Sequence, residues 1–243
     1  LLAGSDAQKK KWLPRLASGE AIATFAFAEG AGETDPAHLA TRFSNGALDG
    51  TKLPVFDGAE ASVAVVVAQG PNGPMLALAE IGAAVERSAL RSFDPSRSLA
   101  KLVFRKAPAE VLGTAADATQ TISTLLDRAA VMIGFEQIGG ATRAFEITRE
   151  FTLGRYAFGR PIASFQAIKH RLAELYAKIE IARSNGYYAA WALSSGNEEL
   201  ALAACSFRSA ASEAFELAAE EMILLHGGVG FTWEYDVHLH LKR

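Results

Sequence analysis

The apolar residues Ile168, Leu172, Leu175, Ile179 and Ala182 recur at steps of 4, 3, 4 and 3. That spacing lays all five along one side of an α-helix. It suits no face of a strand, where side chains alternate every second residue. A more broken spacing runs through Ile122, Leu125, Ala129, Met132, Ile133 and Phe145, so helix is expected over Ala118 to Thr152. Pro161 ends that stretch, and Ser164 offers an N-cap to the helix that follows. Asn197 offers another N-cap, with Glu198 and Glu199 in the first turn where the helix dipole favours them. Gly227-Gly228 ends that helix, and one more starts near Val237. Striped helices of this length bury their apolar sides against one another, so an antiparallel bundle is expected over residues 114–243.

Residues 1–113 follow a different grammar. Every proline except Pro161 lies there. The apolar runs are short: Ala21–Ala28, Val63–Ala68, Met75–Ala79, Val85–Leu90 and Leu99–Phe104 read as strands. Asn45-Gly46, Asp49-Gly50, Asp57-Gly58 and Pro71-Asn72-Gly73-Pro74 read as turns between them. No long helical pattern alternates with these strands, which argues against a parallel βαβ sheet and for an antiparallel barrel or sandwich. The fold class expected is therefore α+β, with a β-rich domain over 1–113 followed by a helical bundle over 114–243.

Bulk properties narrow the function. The net charge is −3 and there is no Lys/Arg block, so nucleic acid is not an expected partner. The run Lys9-Lys10-Lys11 reads as a solvated helix face. No apolar run approaches the roughly 20 residues that span a bilayer. Cys205 is the only cysteine, so no disulfide forms within the chain, and a cytoplasmic setting is expected. His238 and His240 are two residues apart, the wrong spacing for one helical face, and no metal site is expected. Trp12, Trp191 and Trp233 read as packing residues. Leu1 to Ser5 reads as a helix end and turn, and Val237 to Arg243 as a helix barely begun, so both ends read as cuts through a longer protein.

Three segments carry candidate chemistry. Arg155-Tyr156-Ala157-Phe158-Gly159-Arg160-Pro161-Ile162 runs into Ser164-Phe165-Gln166-Ala167-Ile168-Lys169-His170. Structurally this is a helix end, a break and a helix start. Chemically, free N–H groups at a helix start can hold a phosphate, Arg155 can pair with the same anion, and Gln166 offers an amide to a base edge. His226-Gly227-Gly228-Val229-Gly230-Phe231 is by itself a glycine-capped turn, although its glycines also admit a ligand close to the backbone. Phe25-Ala26-Phe27-Ala28-Glu29-Gly30-Ala31-Gly32-Glu33-Thr34-Asp35 reads as a strand running into a loop.

In this order, and behind Leu13-Pro14-Arg15-Leu16-Ala17-Ser18-Gly19-Glu20, the three segments resemble the acyl-CoA dehydrogenase family over essentially the whole chain. The resemblance is strongest from Glu136 onward, where Glu136-Gln137-Ile138-Gly139-Gly140-Ala141 is similar to actinobacterial members. It implies a fragment of a flavoprotein without its N-terminal domain and extreme C-terminus. It also implies FAD as cofactor, an acyl-CoA substrate, a homo- or hetero-oligomer, and electron-transferring flavoprotein as electron acceptor. A steroid side chain is among the substrates implied.

Carried over residue by residue, Arg155, Phe158 and Gln166 would hold a neighbouring subunit's FAD at its diphosphate and adenine side, with Gly227 and Gly228 lining it through backbone. Phe27, Ala28 and Thr34 would face the subunit's own flavin. This side departs from the family pattern. Ala28 stands where the family has Thr, and the glycine-rich loop is altered at Ala31 and Glu33. Lys52-Leu53-Pro54-Val55-Phe56 replaces Lys-x-Trp-x-Thr, and Leu224 replaces a Gln. The catalytic base is not assigned. Its commonest family position falls past Arg243, the alternative falls on Ala129, and Asp127 lies about 200° away around the helix. The resemblance thus implies a dehydrogenase subunit, or a non-catalytic partner that completes a relative's FAD site.

Overall fold

The computed structural model describes residues 2–32, 34–114 and 116–243. Leu1 and the altered position Glu33 lie outside the described residues. The chain divides into two compact units, Leu1–Ser123 and Thr124–Arg243.

The first unit opens with α1 (Asp6–Ala17), a helix expected only as the solvated face at Lys9-Lys10-Lys11. Ser5 does not end a helix but caps one. Its side chain accepts from the Gln8 amide while the Gln8 side chain accepts from the Ser5 amide, a reciprocal capping box. Trp12 is buried from this helix against Ala21 and Val63.

Seven strands follow: β1 (Ala23–Ala26), β2 (Arg42–Ser44), β3 (Ala47–Phe56), β4 (Val63–Gly70), β5 (Gly73–Glu80), β6 (Val85–Leu90) and β7 (Leu99–Leu112). The sheet closes on itself, because β4 pairs with β5, β5 with β7, β7 with β3, β3 with β2, and β2 with β4. It is a barrel, predominantly antiparallel as expected. Two pairings depart from that expectation, since β1 and β2 both run parallel to β4. Leu48, Val55, Val66, Leu102 and Phe104 fill the core. Alternation along β7 puts Ala100, Leu102 and Phe104 inside, with Lys101, Val103 and Arg105 between them more exposed. The first turn of α2 belongs to this unit, where Ile122 is buried with Leu39, Val67 and Leu76.

One charged side chain shares the barrel's buried region. Lys52 has no exposed side-chain surface, and its Nζ lies 2.8 Å from Glu29 Oε1. Burial pushes the Glu29 carboxyl up, but the Lys52 ammonium, Thr41 and the Ala40 and Thr41 amides together outweigh it and hold the carboxyl at about 2, below its ordinary 4.5. Burial pushes the Lys52 ammonium down, against the pull of Glu29.

The second unit holds most of α2 (Ala118–Gly154), then α3 (Gln166–Ser195), α4 (Leu200–His226) and α5 (Val237–Lys242). The α3 stripe is where the spacing put it, with Leu175, Ile179 and Ala182 buried. On α2 the expected face holds only in part, with Ile122 buried and Phe145 packed against the core. Met132 and Ile133 are exposed, while Val131, Ile138, Ala141 and Ala144 form the core. Small residues allow close packing around Phe207, which is fully buried on α4. A Cβ added at Gly134 on α2 would lie 2.6 Å from the Phe207 ring, and one at Gly186 on α3 would lie 2.7 Å from it. Asn197 Oδ1 accepts from the Glu199 amide at 2.8 Å, but α4 starts only at Leu200, so Glu198 and Glu199 precede the first turn. Trp191 and Trp233 are exposed rather than packed inside.

Two predictions follow from packing and charge. Gly186→Ala gains up to about 1 kcal/mol of helix propensity but overpacks Phe207 at a cost of about 1–3 kcal/mol, so it destabilises. Gly139→Ala meets nothing within 4 Å and stabilises by up to about 1 kcal/mol. Denaturant melts of the two variants should move in opposite directions. For the barrel, a carboxyl whose folded pKa is depressed contributes stability that is complete above about 4.5 and lost as pH falls toward about 2. Glu29→Gln should lower the urea midpoint at pH 7 and narrow the gap between pH 7 and pH 3; an unchanged gap would show that the pair does not set acid stability.

Candidate functional site

At one end of the bundle, α2 gives way to a hairpin, β8 (Tyr156–Ala157) and β9 (Arg160–Pro161), in a segment that sequence reasoning read only as a helix break. Its two tip residues, Phe158 and Gly159, both have left-handed backbones, with φ of 54° and 78°. Gly159 suits that conformation. Phe158 does not, because a Cβ makes the left-handed region costly, and such strain persists where the surroundings or a function require it. The Phe158 side chain is 95% exposed and meets the Phe165 ring edge-on at 6.3 Å. The Arg160 guanidinium covers Phe165 at 4.0 Å.

Arg155 is exposed, and its side chain has no partner among the described residues. Its carbonyl accepts from the Ile162 amide at 2.8 Å, which folds the hairpin back toward α3. Ser164 does not cap α3. The N-cap is Phe165, no side chain caps the helix, and Ser164 Oγ is buried without a hydrogen-bond partner. The helix start therefore keeps amides with no side-chain acceptor, which is the arrangement that binds anions. Gln166 opens the helix, exposed, with Nε2 at 3.0 Å from His170 Nε2.

Two contacts bring the glycine turn to the same end. The Arg171 guanidinium on α3 makes a paired hydrogen bond to Glu221 on α4, at 2.8 and 2.6 Å. His226, the last residue of α4, stacks on Phe151 in the final turn of α2 at 4.1 Å. His226 Nδ1 lies 2.6 Å from the Met222 carbonyl, and burial pushes the imidazole below its ordinary value, which favours the neutral ring as an N–H donor to that carbonyl. Gly227 has φ +63°, so a side chain there is strained. Added Cβ atoms at Gly227 and Gly228 would meet nothing within 4 Å, whereas at Gly230 one would lie 2.7 Å from the Ile223 carbonyl oxygen. Gly230 thus serves packing, and Gly227 and Gly228 leave open space over the backbone. The structure gathers Arg155, Phe158, Gln166, Gly227 and Gly228 at one end of the bundle.

In the barrel unit Phe27 and Ala28 follow β1 directly, and Thr34 lies further along the chain before β2. The carbonyls of Phe27 and Ala28 are already used, by Lys52 Nζ at 2.9 Å and the Leu53 amide at 2.9 Å. Phe27 stacks on Phe25 at 6.0 Å and packs on the Leu39–Val67 cluster. Pro54 has no N–H to offer, and Phe56 is exposed beneath the Arg97 guanidinium. Sequence reasoning missed Lys52 and Glu29 as a pair; the only signal was a lysine in phase with the inward-facing Leu48.

Glu136 is exposed and hydrogen-bonded to Arg243 at 2.6 and 2.9 Å. Asp127 is half-buried on α2. No group of three metal-ligating side chains occurs among the described residues, and none of the described helices is long and apolar enough to cross a membrane.

A bundle end with an uncapped helix start, a partner-free arginine, an outward aromatic ring and open glycine backbone fits a diphosphate-bearing cofactor such as FAD. Comparison with known proteins agrees with the fold and the family. The family model described as "Acyl-CoA dehydrogenase, C-terminal domain" matches residues 119–243. Among curated relatives, Acyl-CoA dehydrogenase IpdE2 of Mycobacterium tuberculosis is 47% identical over 119 residues, 49% of this chain and 36% of the relative. Acyl-CoA dehydrogenase FadE34 of Mycobacterium tuberculosis is 33% identical over 229 residues, 94% of this chain and 30% of the relative. The chain thus spans about a third of the length of these curated relatives. The crystal structure of acyl-CoA dehydrogenase from Geobacillus kaustophilus superposes with a TM-score of 0.93 at 23% identity, over 99% of this chain and 67% of that one, and shares the fold. With the family match covering residues 119–243, just over half of its length, the chain belongs to the acyl-CoA dehydrogenase family.

Proposed function

We propose that the chain is part of an FAD-dependent acyl-CoA dehydrogenase subunit that introduces a 2,3-double bond into an acyl-CoA thioester. The observation that carries this reading is the gathered bundle end. Arg155 would pair with the FAD diphosphate together with the open amides at the start of α3. The Phe158 ring would lie against the cofactor, Gln166 would meet the adenine edge, and Gly227 and Gly228 would let it approach the backbone. FAD, when bound, supplies the acceptor for the β-hydrogen; the chain's own contribution is to hold and orient it. No catalytic base is assigned. Electron-transferring flavoprotein is proposed as the acceptor, and a steroid side chain as one substrate class.

The second reading, a non-catalytic partner subunit, rests on the barrel. Ala28 has no hydroxyl, Pro54 no N–H, and the carbonyls of Phe27 and Ala28 are engaged within the unit. On this reading the bundle end grips the FAD of a relative whose barrel is intact. Ile181, Tyr187 and Trp191 leave an apolar face on α3 open, which favours association in either reading.

Arg155→Ala should weaken FAD retention by roughly ten- to a hundredfold, the worth of a charge-assisted hydrogen bond, without lowering the melting temperature. Flavin absorbance after gel filtration tests this, and unchanged retention would remove Arg155 from the site. The flavin-to-protein ratio of the full chain, alone and co-expressed with a homologous subunit, separates the two readings. One tightly held FAD per isolated chain supports the self-sufficient dehydrogenase. A substoichiometric ratio restored by co-expression supports the partner. Light scattering should report an oligomer, and a monomer holding stoichiometric FAD would sink the use of a neighbour's cofactor.

A further inference from the structure

The loop between β1 and β2 leaves the barrel at Glu29 and returns at Ala40, and Glu29 itself ties its two ends. One carboxylate oxygen accepts from the Ala40 amide at 2.6 Å and the other from the Thr41 amide at 2.9 Å. Lys52 anchors that carboxylate at 2.8 Å and holds the loop's first carbonyl, that of Phe27, at 2.9 Å. The Leu53 amide adds a bond to the Ala28 carbonyl, and Glu29 and Leu53 form a parallel bridge.

A buried ion pair of this kind adds little net stability, because desolvating both charges offsets their attraction, and apolar side chains of similar size often serve a core as well. Apolar side chains, however, make no directed bonds. The four bonds around Lys52 and Glu29 fix where the loop starts and where it ends. Phe27 and Ala28, both singled out as flavin-facing, lead into this loop, and Thr34 lies on it. We propose that Lys52 and Glu29 are a positioning pair, holding Phe27, Ala28 and the two ends of the loop that carries Thr34 in place for flavin binding. They act through the loop rather than on the cofactor. The proposal rests on the FAD reading above, deepens it, and has a readout independent of flavin.

The test uses the full chain with Glu29→Met, Lys52→Met and the double variant. Glu29→Met strands a buried ammonium and should give the largest fall in melting temperature. It should also speed hydrogen exchange at the Ala40 and Thr41 amides in flavin-free protein by about tenfold or more, the equivalent of one lost hydrogen bond. Removing Lys52 as well relieves the stranded charge, so the double variant should melt above Glu29→Met. Its Ala40 and Thr41 amides should still exchange fast, and its flavin-to-protein ratio, read in the assembly that loads the wild type, should stay low. This split between recovered stability and unrecovered loop order marks positioning rather than support of the fold. Native protection of Ala40 and Thr41 in Glu29→Met would overturn the proposal. So would a double variant that regains wild-type flavin content together with its melting temperature. If the wild type holds no FAD in any assembly, the functional reading falls, and the exchange of Ala40 and Thr41 still decides the pair.

Discussion

The bundle is organised by one aromatic ring in a slot cut by glycine. Phe207 on α4 reaches α2 at Gly134 and α3 at Gly186, both so close that a methyl group in either place would overlap the ring. Phe135 meets the same ring edge-on at 5.0 Å. Such a slot fixes three helices against one another, since sliding any of them drives a side chain into the ring. Arg171 with Glu221, and Phe151 with His226, then secure the end of the bundle where the candidate cofactor residues stand. A rigid platform matters there because binding groups must be held in place by packing beneath them rather than by the ligand.

The two units differ in how ready they are for a ligand. The bundle end presents groups that the fold leaves unused: a partner-free guanidinium, helix amides without a cap, and backbone bare of side chains. The barrel loop presents the reverse, carbonyls already committed and a lysine turned inward. Strain points the same way. Phe158 occupies a left-handed tip that disfavours a side chain, yet its ring faces solvent and contributes little to the core.

Some of this was legible in the sequence and some was not. The α3 stripe was readable because Leu175 and Ile179 are large and every step conforms to one helical face. The α2 face was not, because its buried side includes Gly134, Ala141 and Ala144, which carry almost no hydropathic signal, while Met132 and Ile133 carry a strong one outward. Of helix α1 only the lysine face was legible; its extent was hidden by Pro14, although Ser5 and Gln8 spelled its capping box. Strand β3 was hidden because Asp49-Gly50 read as a turn, and only the closed barrel makes a strand of it. The candidate residues of the bundle end were visible as short patterns. Their convergence was not, since it depends on contacts between residues 50 and 75 positions apart, such as Arg171 with Glu221 and Phe151 with His226. Lys52 and Glu29, 23 positions apart, escaped for the same reason.

The closure of the barrel has a consequence for how the chain acquires its structure. β7 supplies a wall to β3, β5 and β6 at once, and it is the last strand of the unit in sequence. Until residue 112 has been synthesised no closed sheet exists, and β1 and β4, whose paired residues are 40 positions apart, have nothing to lock their register from the far side. Pairings this distant in sequence are slow to form, whereas the turns of α3 and α4 need only neighbours. The bundle is therefore expected to mature on the faster clock, and the barrel's unpaired edges are the surface that a nascent chain exposes longest.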